Sequence, residues 1–301
     1  MKIEDKIYGI CQIKEPVLLE IIENPALKRL KEISQYGIPD KYYHYKNYSR
    51  FEHSVGVMLL LRKLGATLEE QAAGLLHDVS VLAFSHIADW VFADGEKGIE
   101  DYHNSIHEKF IKRTNIPSLV EKYSFPLEGI LNESNYPLLE KKIPNLCADR
   151  VDYALREFNY WLDPSAVSKS IKGLVNRNGE LVFNDVESVY VFSSNFLELQ
   201  FQHWGGFEAA ARYKHFSKAL KIALEDGVID EDDFYKTDLY VLKKLESSKN
   251  ERIKETLEML SAKNLETLKG NGKEKVTCKC GRIFIFDKNT KKYHRALFEE
   301  V

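Results

Sequence analysis

The sequence lacks three things that mark out large protein classes. It has four cysteines, Cys11, Cys147, Cys278 and Cys280, too few and too scattered for a disulfide scaffold, so a reducing cytoplasm is the expected setting. It has no charge bias. Its 43 Lys and Arg against 46 Asp and Glu leave a formal net charge of -3, which gives no bulk reason to expect nucleic acid or a membrane surface as partner. It has no long apolar run either. Stretches such as 57–61 (VMLLL) are broken by charge well short of the roughly 18 residues a membrane helix needs, and the opening MKIEDKIYGICQIKEP has no apolar segment of the kind a secretion signal carries. What remains is an ordinary globular composition, 44% hydrophobic and 30% charged, in 301 residues, enough for one large domain with an appendage.

Helical periodicity dominates from about residue 16 to 165. A helix is expected over 16–33, where Val17, Leu18, Ile21, Ile22, Leu27 and Leu30 recur at helical spacing. The polar, tyrosine-rich stretch 38–50 reads as a loop, followed by a helix over 51–64. Another starts near Leu68, with Thr67 as N-cap and Glu70 completing a capping box, and ends at His77-Asp78. Residues 94–104 read as a loop, 105–112 and 146–160 as helices. The segment 171–185 changes character: two short β-type runs flank Asn176-Arg177-Asn178-Gly179, a hairpin signal. Helical patterns return over 186–226 and 231–264. After a lysine- and glycine-rich linker at 269–275, KVTCKCGRIFIFD reads as a small β element turning at Gly281. There is no internal repeat. The expected divisions are 1–165, 166–268 and 269–301.

The chemistry sits in a sparse pattern: His53 in RFEHSVG, His77-Asp78 in LLHDVS 24 residues later, and Asp149 in CADRVDYALREF far downstream. Two imidazoles and two carboxylates suit a borderline or hard divalent metal, which would polarise a phosphoryl oxygen and acidify water. At 100° per residue, Val151, Ala154, Leu155 and Phe158 form a core stripe, while Asp149, Asp152, Tyr153 and Arg156 share the opposite, polar face.

Taken together and in order, RFEHSVG, LLHDVSVLAFSH, HEKF and ADRVDYALREF resemble the HD superfamily of phosphohydrolases, and within it the SAM-and-HD-domain deoxynucleoside triphosphate triphosphohydrolases. The resemblance is good over about 5–160 and fainter to about 265. It implies an all-α fold with small β additions around one divalent ion (manganese, iron, zinc, nickel or magnesium), with room for a second magnesium brought in with substrate. The implied metal ligands are His53, His77, Asp78 and Asp149. By position it implies that Arg50 contacts substrate phosphates, that His86 is catalytic and Asp89 orients a histidine, and that His107-Glu108 form a pair beside the site. Arg150 and Tyr153 would hold the triphosphate and sugar, Glu157 would be a further acid in the pocket, and Tyr213 would line the base pocket. These roles suit phosphoryl transfer, whose transition state spreads charge over oxygens. One departure stands out: the triphosphohydrolases read HDLGHGPFSH where this chain reads HDVSVLAFSH, with Val81 for the second histidine and Leu82-Ala83 for Gly-Pro. The readings left open are therefore a dNTP triphosphohydrolase, a hydrolase of another phosphomonoester or phosphodiester, and a nucleotide-binding sensor without turnover. The chain also starts close to the HD region, so a preceding interaction module is not expected.

Weaker signals have plainer readings. Cys278-Lys279-Cys280 with His294 invites zinc, but structural zinc wants two well-spaced pairs, so a plain β element is expected. Tyr42, Tyr43, Tyr45 and Tyr48 with Lys41, Lys46 and Arg50 could stack on bases or simply pack beside the site. The charge-laced segment 231–264 suggests a solvated or subunit-contacting helix. The expected partners are a nucleotide or other phosphorylated small molecule and a second copy of the chain.

Overall fold

A computed structural model describes residues 1–43, 45, 47–93, 102–142, 145–261 and 264, together with the backbone of two C-terminal strands at 283–287 and 292–296. The chain opens with an antiparallel hairpin, β1 (Lys2–Asp5) and β2 (Gly9–Gln12), in which Ile3 pairs with Cys11. The sequence reading assigned no element there.

The expected helix over 16–33 is broken in two. α1 (Pro16–Glu23) stops at Asn24, whose side chain caps α2 (Pro25–Arg29), and a 3-10 turn follows over Leu30–Glu32. The cause is Asn24-Pro25: proline has no N–H and forces the preceding residue out of the helical region, leaving Asn24 extended at ψ 133°. α3 (Arg50–Lys63) opens with a reciprocal capping box between Ser49 and Glu52. α4 (Leu68–Leu76) is capped by Thr67 as expected, but Glu70 does not complete the box. Its carboxylate instead accepts the Leu138 and Leu139 amides at 2.8 and 3.2 Å.

α5 (Ile87–Phe92) is followed, beyond residues outside the described set (94–101), by α6 (Tyr102–Lys112), so 102–104 of the expected loop are helical. α7 (Ile116–Lys122) and α8 (Leu127–Leu131) lead to α9 (Ala148–Trp161) and α10 (Ser165–Gly173). The predicted hairpin is β3 (Leu174–Arg177) with β4 (Glu180–Phe183), turning at Asn178-Gly179. α11 (Val186–Leu199) runs into a π-helical turn, Gln200–Trp204, before α12 (Phe207–Glu225). The expected helix over 231–264 is a 3-10 turn, Glu231–Tyr235, then α13 (Asp238–Ser247) and α14 (Glu251–Glu258). Strands β5 (Ile283–Asp287) and β6 (Lys292–Ala296) form a C-terminal hairpin. Gly281, Cys278 and Cys280 lie outside the described residues, as does the 269–275 linker. Among the described residues the fold is thus mostly helical with three two-stranded sheets. No described helix is long and apolar enough to cross a membrane.

Two apolar cores organise these elements. The larger gathers α1, α3, α4, α7, α9, α10 and α11 around residues such as Leu18, Val57, Leu75, Val151, Leu155 and Phe192. The expected stripe of α9, Val151, Ala154, Leu155 and Phe158, is fully buried in it. The smaller joins Leu82, Phe84 and Ile87, from the expected first region, to Phe216, Leu220, Phe234, Val241 and Ile253, from the second. The charge-laced C-terminal segment therefore has a buried apolar side of its own.

Asp152 and Arg156 on the polar face of α9 are buried too, against α3. A glycine makes the approach possible. A Cβ on Gly56 would lie 1.9 Å from an Arg156 nitrogen and 2.2 Å from Asp152 Oδ1. Glycine inside a helix ordinarily costs about 0.5–1 kcal/mol relative to alanine, and here that ranking should reverse. We expect Gly56→Ala to lower unfolding free energy by about 1–3 kcal/mol through overpacking, read as a shifted denaturant midpoint. An unchanged or raised midpoint would show that the α3–α9 contact is looser than described.

Candidate metal centre

Three elements converge on one point. α3 supplies His53 from its first turn, the chain just past α4 supplies His77 and Asp78, and α9 supplies Asp149 from its first turn. Ligand atoms of His53, His77 and Asp149 all lie within 4.8 Å of one another. His53 Nε2 is 2.8 Å from Asp149 Oδ1, and His77 Nε2 is 3.5 Å from the same oxygen. Asp78 Oδ2 adjoins this trio, 3.8 Å from His53 Nε2 and 3.6 Å from His77 Nε2. Metal–ligand bonds of about 2.0–2.2 Å require donors roughly 3–4 Å apart, so His53, His77 and Asp149 lie close to the spacing a divalent ion needs, with Asp78 beside both imidazoles.

The hydrogen bonding fits the same group. His77 Nδ1 lies 2.8 Å from the Gly74 carbonyl, so it carries the proton and leaves the Nε2 lone pair facing the carboxylates. That Nε2 is buried with no hydrogen-bond partner. His53 Nδ1 lies 2.8 Å from Asp152 Oδ2, which fixes its ring in the same sense. A carboxylate or carbonyl behind each imidazole, with the other nitrogen aimed inward, is how metal-binding histidines are oriented. Asp149 is the most open of the four, its side chain 25% exposed against 0% for His53.

Without a cation the carboxylates act on protons instead. Burial pulls the His77 imidazole down, but the Asp78 and Asp149 charges outweigh it and push it up to about 10. Burial would raise the Asp78 carboxyl, yet Arg50, His77 and His53 hold it well below the usual range.

Around this centre the expected residues divide. Arg50 is buried with all three nitrogens engaged: to Asp78 Oδ2 at 2.7 Å, Ser85 Oγ at 3.0 Å and the Gln35 carbonyl at 3.3 Å. It braces a metal ligand. His86, partly exposed at the start of α5, has Nδ1 3.1 Å from Asp89 Oδ2, while Asp89 Oδ1 accepts the Tyr102 amide. His107 Nδ1 meets Ser80 Oγ at 2.9 Å, and that hydroxyl donates to the His103 carbonyl. The His107 proton is therefore on Nδ1, and its Nε2 carries the lone pair. Burial pushes His107 down to about 4, so it is neutral at pH 7. Glu108 is not brought to the centre. It points to solvent with its side chain 65% exposed and pairs with Lys112.

Arg150 turns toward the entry to α9, bonding the Asn145 and Lys141 carbonyls, Cys147 Sγ and, at 3.4 Å, Glu140. The Tyr153 ring is 6.4 Å from His53 and edge-on to Trp204 at 5.4 Å. Glu157 is buried and accepts from Trp204 Nε1 at 2.6 Å and Tyr48 at 3.3 Å; burial outweighs these donors and pushes it up to about 8. Tyr213 donates to the Tyr36 carbonyl at 2.7 Å and faces the Trp90 ring at 5.8 Å. In the tyrosine-rich loop Tyr43 stacks on Tyr36 at 4.3 Å and Tyr48 on Tyr160 at 5.6 Å, both buried as wall rather than free platform.

Sequence reasoning missed the supporting layer. Asp152 was placed on the polar face without a role. It orients His53, accepts from Tyr8 at 2.8 Å and pairs with Arg156, which reaches Asp5 at 2.8 Å. Its only sequence signal was its position one turn after Asp149. His103 was missed as well: it lies one turn before His107, with its ring 5.8 Å from His86. His86, Asp89 and His103 offer a second trio of donor atoms within 4.8 Å.

Two outcomes follow. Asp152→Ala should weaken divalent-metal affinity about 10- to 100-fold, read by competition with a chelating dye; unchanged affinity would remove Asp152 from the centre. Because His77 is protonated at neutral pH in the cation-free protein, Mn²⁺ should expel about one proton per ion and bind more tightly as pH rises. Calorimetry at pH 7 in two buffers of different ionisation enthalpy measures that release, and zero release would rule out ligation by His77.

Comparisons with known proteins point the same way. The HD domain family matches residues 50–153, from Arg50 at the start of α3 to Tyr153 on α9. The chain is 40% identical to the uncharacterized protein YdhJ of Bacillus subtilis over 84% of its own length and 78% of that protein's. It is 39% identical to the metal-dependent phosphohydrolase cns2 of Cordyceps militaris over 52% of this chain and 44% of that one. Identity to the deoxynucleoside triphosphate triphosphohydrolase SAMHD1 of Danio rerio is 31%, over 34% of this chain and 19% of that one. Among solved structures, a phosphohydrolase from Bacteroides thetaiotaomicron superposes with a TM-score of 0.63 at 20% identity, over 88% of this chain and 77% of that one, and so shares the fold. A His–Asp cluster that could hold a divalent ion, on a fold shared with a solved phosphohydrolase, agrees with the HD-domain match and with the relative named a metal-dependent phosphohydrolase: the chain belongs to the HD-domain family of metal-dependent phosphohydrolases.

Proposed function

We propose that the substrate is a nucleotide phosphoester, with cleavage of a deoxynucleoside triphosphate to deoxynucleoside and triphosphate as the leading reaction. The observation carrying this reading is the pair of imidazoles whose Nε2 atoms are aimed, by Gly74 and Asp152, at Asp149 between them. A cation held by His53, His77, Asp78 and Asp149 would supply Lewis acidity to a phosphoryl oxygen and lower the pKa of a water. The chain's own residues do the rest. His107, neutral with its Nε2 lone pair unprotonated, accepts a proton from the attacking water. His86, oriented by Asp89, delivers one to the departing oxygen. Arg50 keeps Asp78 charged and in place. Tyr153, Glu157 and Tyr213 border an aromatic wall that suits a sugar and base, and the Glu157 carboxyl, neutral at pH 7, can donate a hydrogen bond to a hydroxyl. Partial identity to the SAMHD1 proteins supports the triphosphate.

A second reading is favoured by one observation. Val81 is buried in the larger core and contributes packing where the triphosphohydrolase pattern has a histidine. That fits a hydrolase of a different phosphomonoester or phosphodiester, or a nucleotide sensor without turnover.

The test is a chromatographic screen of the metal-loaded protein against dNTPs, NTPs, nucleoside monophosphates and phosphodiesters. Deoxynucleoside plus intact triphosphate is expected, and Asp149→Ala should reduce the rate about a thousandfold, the worth of several kcal/mol of charge stabilisation. Product from a different substrate class would move the specificity. Nucleotide bound but unturned would favour the sensor.

A further inference from the structure

We propose that Asp238, at the start of α13, is a positioning residue for the catalytic centre, acting through the strained turn that precedes His86. The inference rests on reading that centre as hydrolytic.

The turn is unusual. Phe84 and Ser85 both have positive φ, 66° and 49°, although neither is glycine. Two adjacent left-handed residues with side chains are sterically costly and persist only where their surroundings impose them. The surroundings here are specific. Gly37 packs against the turn so closely that a Cβ would sit 2.2 Å from the Phe84 carbonyl oxygen. The Phe84 ring is fully buried, edge-on to Phe216 of α12 at 4.8 Å. The Ala83 amide donates to the Phe234 carbonyl at 2.8 Å.

Asp238 ties both halves together. One carboxylate oxygen accepts the Phe84 amide at 2.7 Å, and the other accepts the Ser34 amide at 2.8 Å. An acidic residue in the first turn of a helix is ordinarily explained by the helix dipole. That does not account for two oxygens each spent on a distant backbone amide, 154 and 204 residues away in sequence. The bridge continues to the metal ligands. Ser34 accepts the Ser85 hydroxyl through its carbonyl, Ser85 Oγ accepts Arg50 Nε, and Arg50 holds Asp78. The same turn leads directly into His86 and Asp89. A second brace lies alongside: Arg29 bonds the Val79 and Val81 carbonyls and the Lys236 carbonyl beside α13. The C-terminal helices therefore set the geometry of two catalytic-centre residues, Asp78 and His86, without touching the reacting atoms.

Asp238→Asn tests this in the full-length, metal-loaded protein. An amide keeps one acceptor but presents N–H to the other backbone N–H, so one bridge must break. Hydrogen exchange of the segment 79–89 should accelerate about tenfold or more. With the substrate found in the screen above, kcat should fall about 10- to 100-fold with KM little changed, since small misplacements of catalytic groups carry costs of that size. Asp238→Glu should recover part of both. Ile253→Val, in the same apolar core but on α14 and without a polar atom to join the bridge, provides the control: it should lower thermal stability while leaving the exchange of 79–89 and kcat near wild type. Wild-type exchange and kcat in Asp238→Asn would overturn the proposal. So would parallel losses in both variants, scaling with stability. Exchange is measured without substrate, so absence of any hydrolysis by wild-type protein would count against the proposed function and leave exchange to decide the role of Asp238.

Discussion

The structure hangs on a charge buried where water cannot reach it. Arg156 is 1% exposed on the inner face of α9 and is held between Asp152 and Asp5. Removing such a charge from water costs several kcal/mol, and the cost is offset by ion pairs from two guanidinium nitrogens to Asp152 and Asp5, whose oxygens are all engaged. Asp152 answers Arg156 with one oxygen and Tyr8 with the other, and the Arg156-facing oxygen also fixes His53. Asp5 answers from the N-terminal hairpin, whose Ile7 and Tyr8 amides tie it down in turn. The metal centre is thus the outer end of a polar chain that begins at the amino terminus and passes through the core. Gly56 is part of the same constraint, because the ion pair occupies the space its side chain would fill.

Much of this was legible in the sequence, and the split is instructive. The four candidate ligands carried a signal because metal chemistry needs given donor types in a given order. The core stripe of α9 carried one because burial imposes a 3.6-residue period. The Asn-Gly hairpin was readable because few residues tolerate its turn. The opposite face of α9 was read correctly as polar, but polarity alone does not tell solvent from a buried ion pair. Only the partners, Asp5 and Tyr8, distinguish the two, and they lie about 150 residues upstream in sequence. The same holds for Glu70, which has the spacing for a capping box but is drawn off to the Leu138 and Leu139 amides. Glu108 follows the positional resemblance yet faces solvent, since its neighbour His107 takes the inward side of α6. Asn24-Pro25 was local information, available and outweighed in the reading by the apolar spacing around it.

The centre also shows how one fold gives several histidines different work. His77 sits between two carboxylates and is driven basic; His103 and His107 are partly buried nearby with little compensating charge and both fall to about 4. The same residue type is thus charged in one place and neutral in another by environment alone.

The shared core between the active-site turn and the C-terminal helices has a consequence in time. All four ligands are synthesised by residue 149, but the apolar cover over Phe84 and Ile87 draws on residues as far as Leu257 and Leu260. At the roughly 5–20 residues per second of translation, that interval is on the order of ten seconds. During it the nascent chain carries every candidate ligand while the cover over the turn is still unmade, and the segment matching the family, 50–153, is shorter than the segment that packs on that turn.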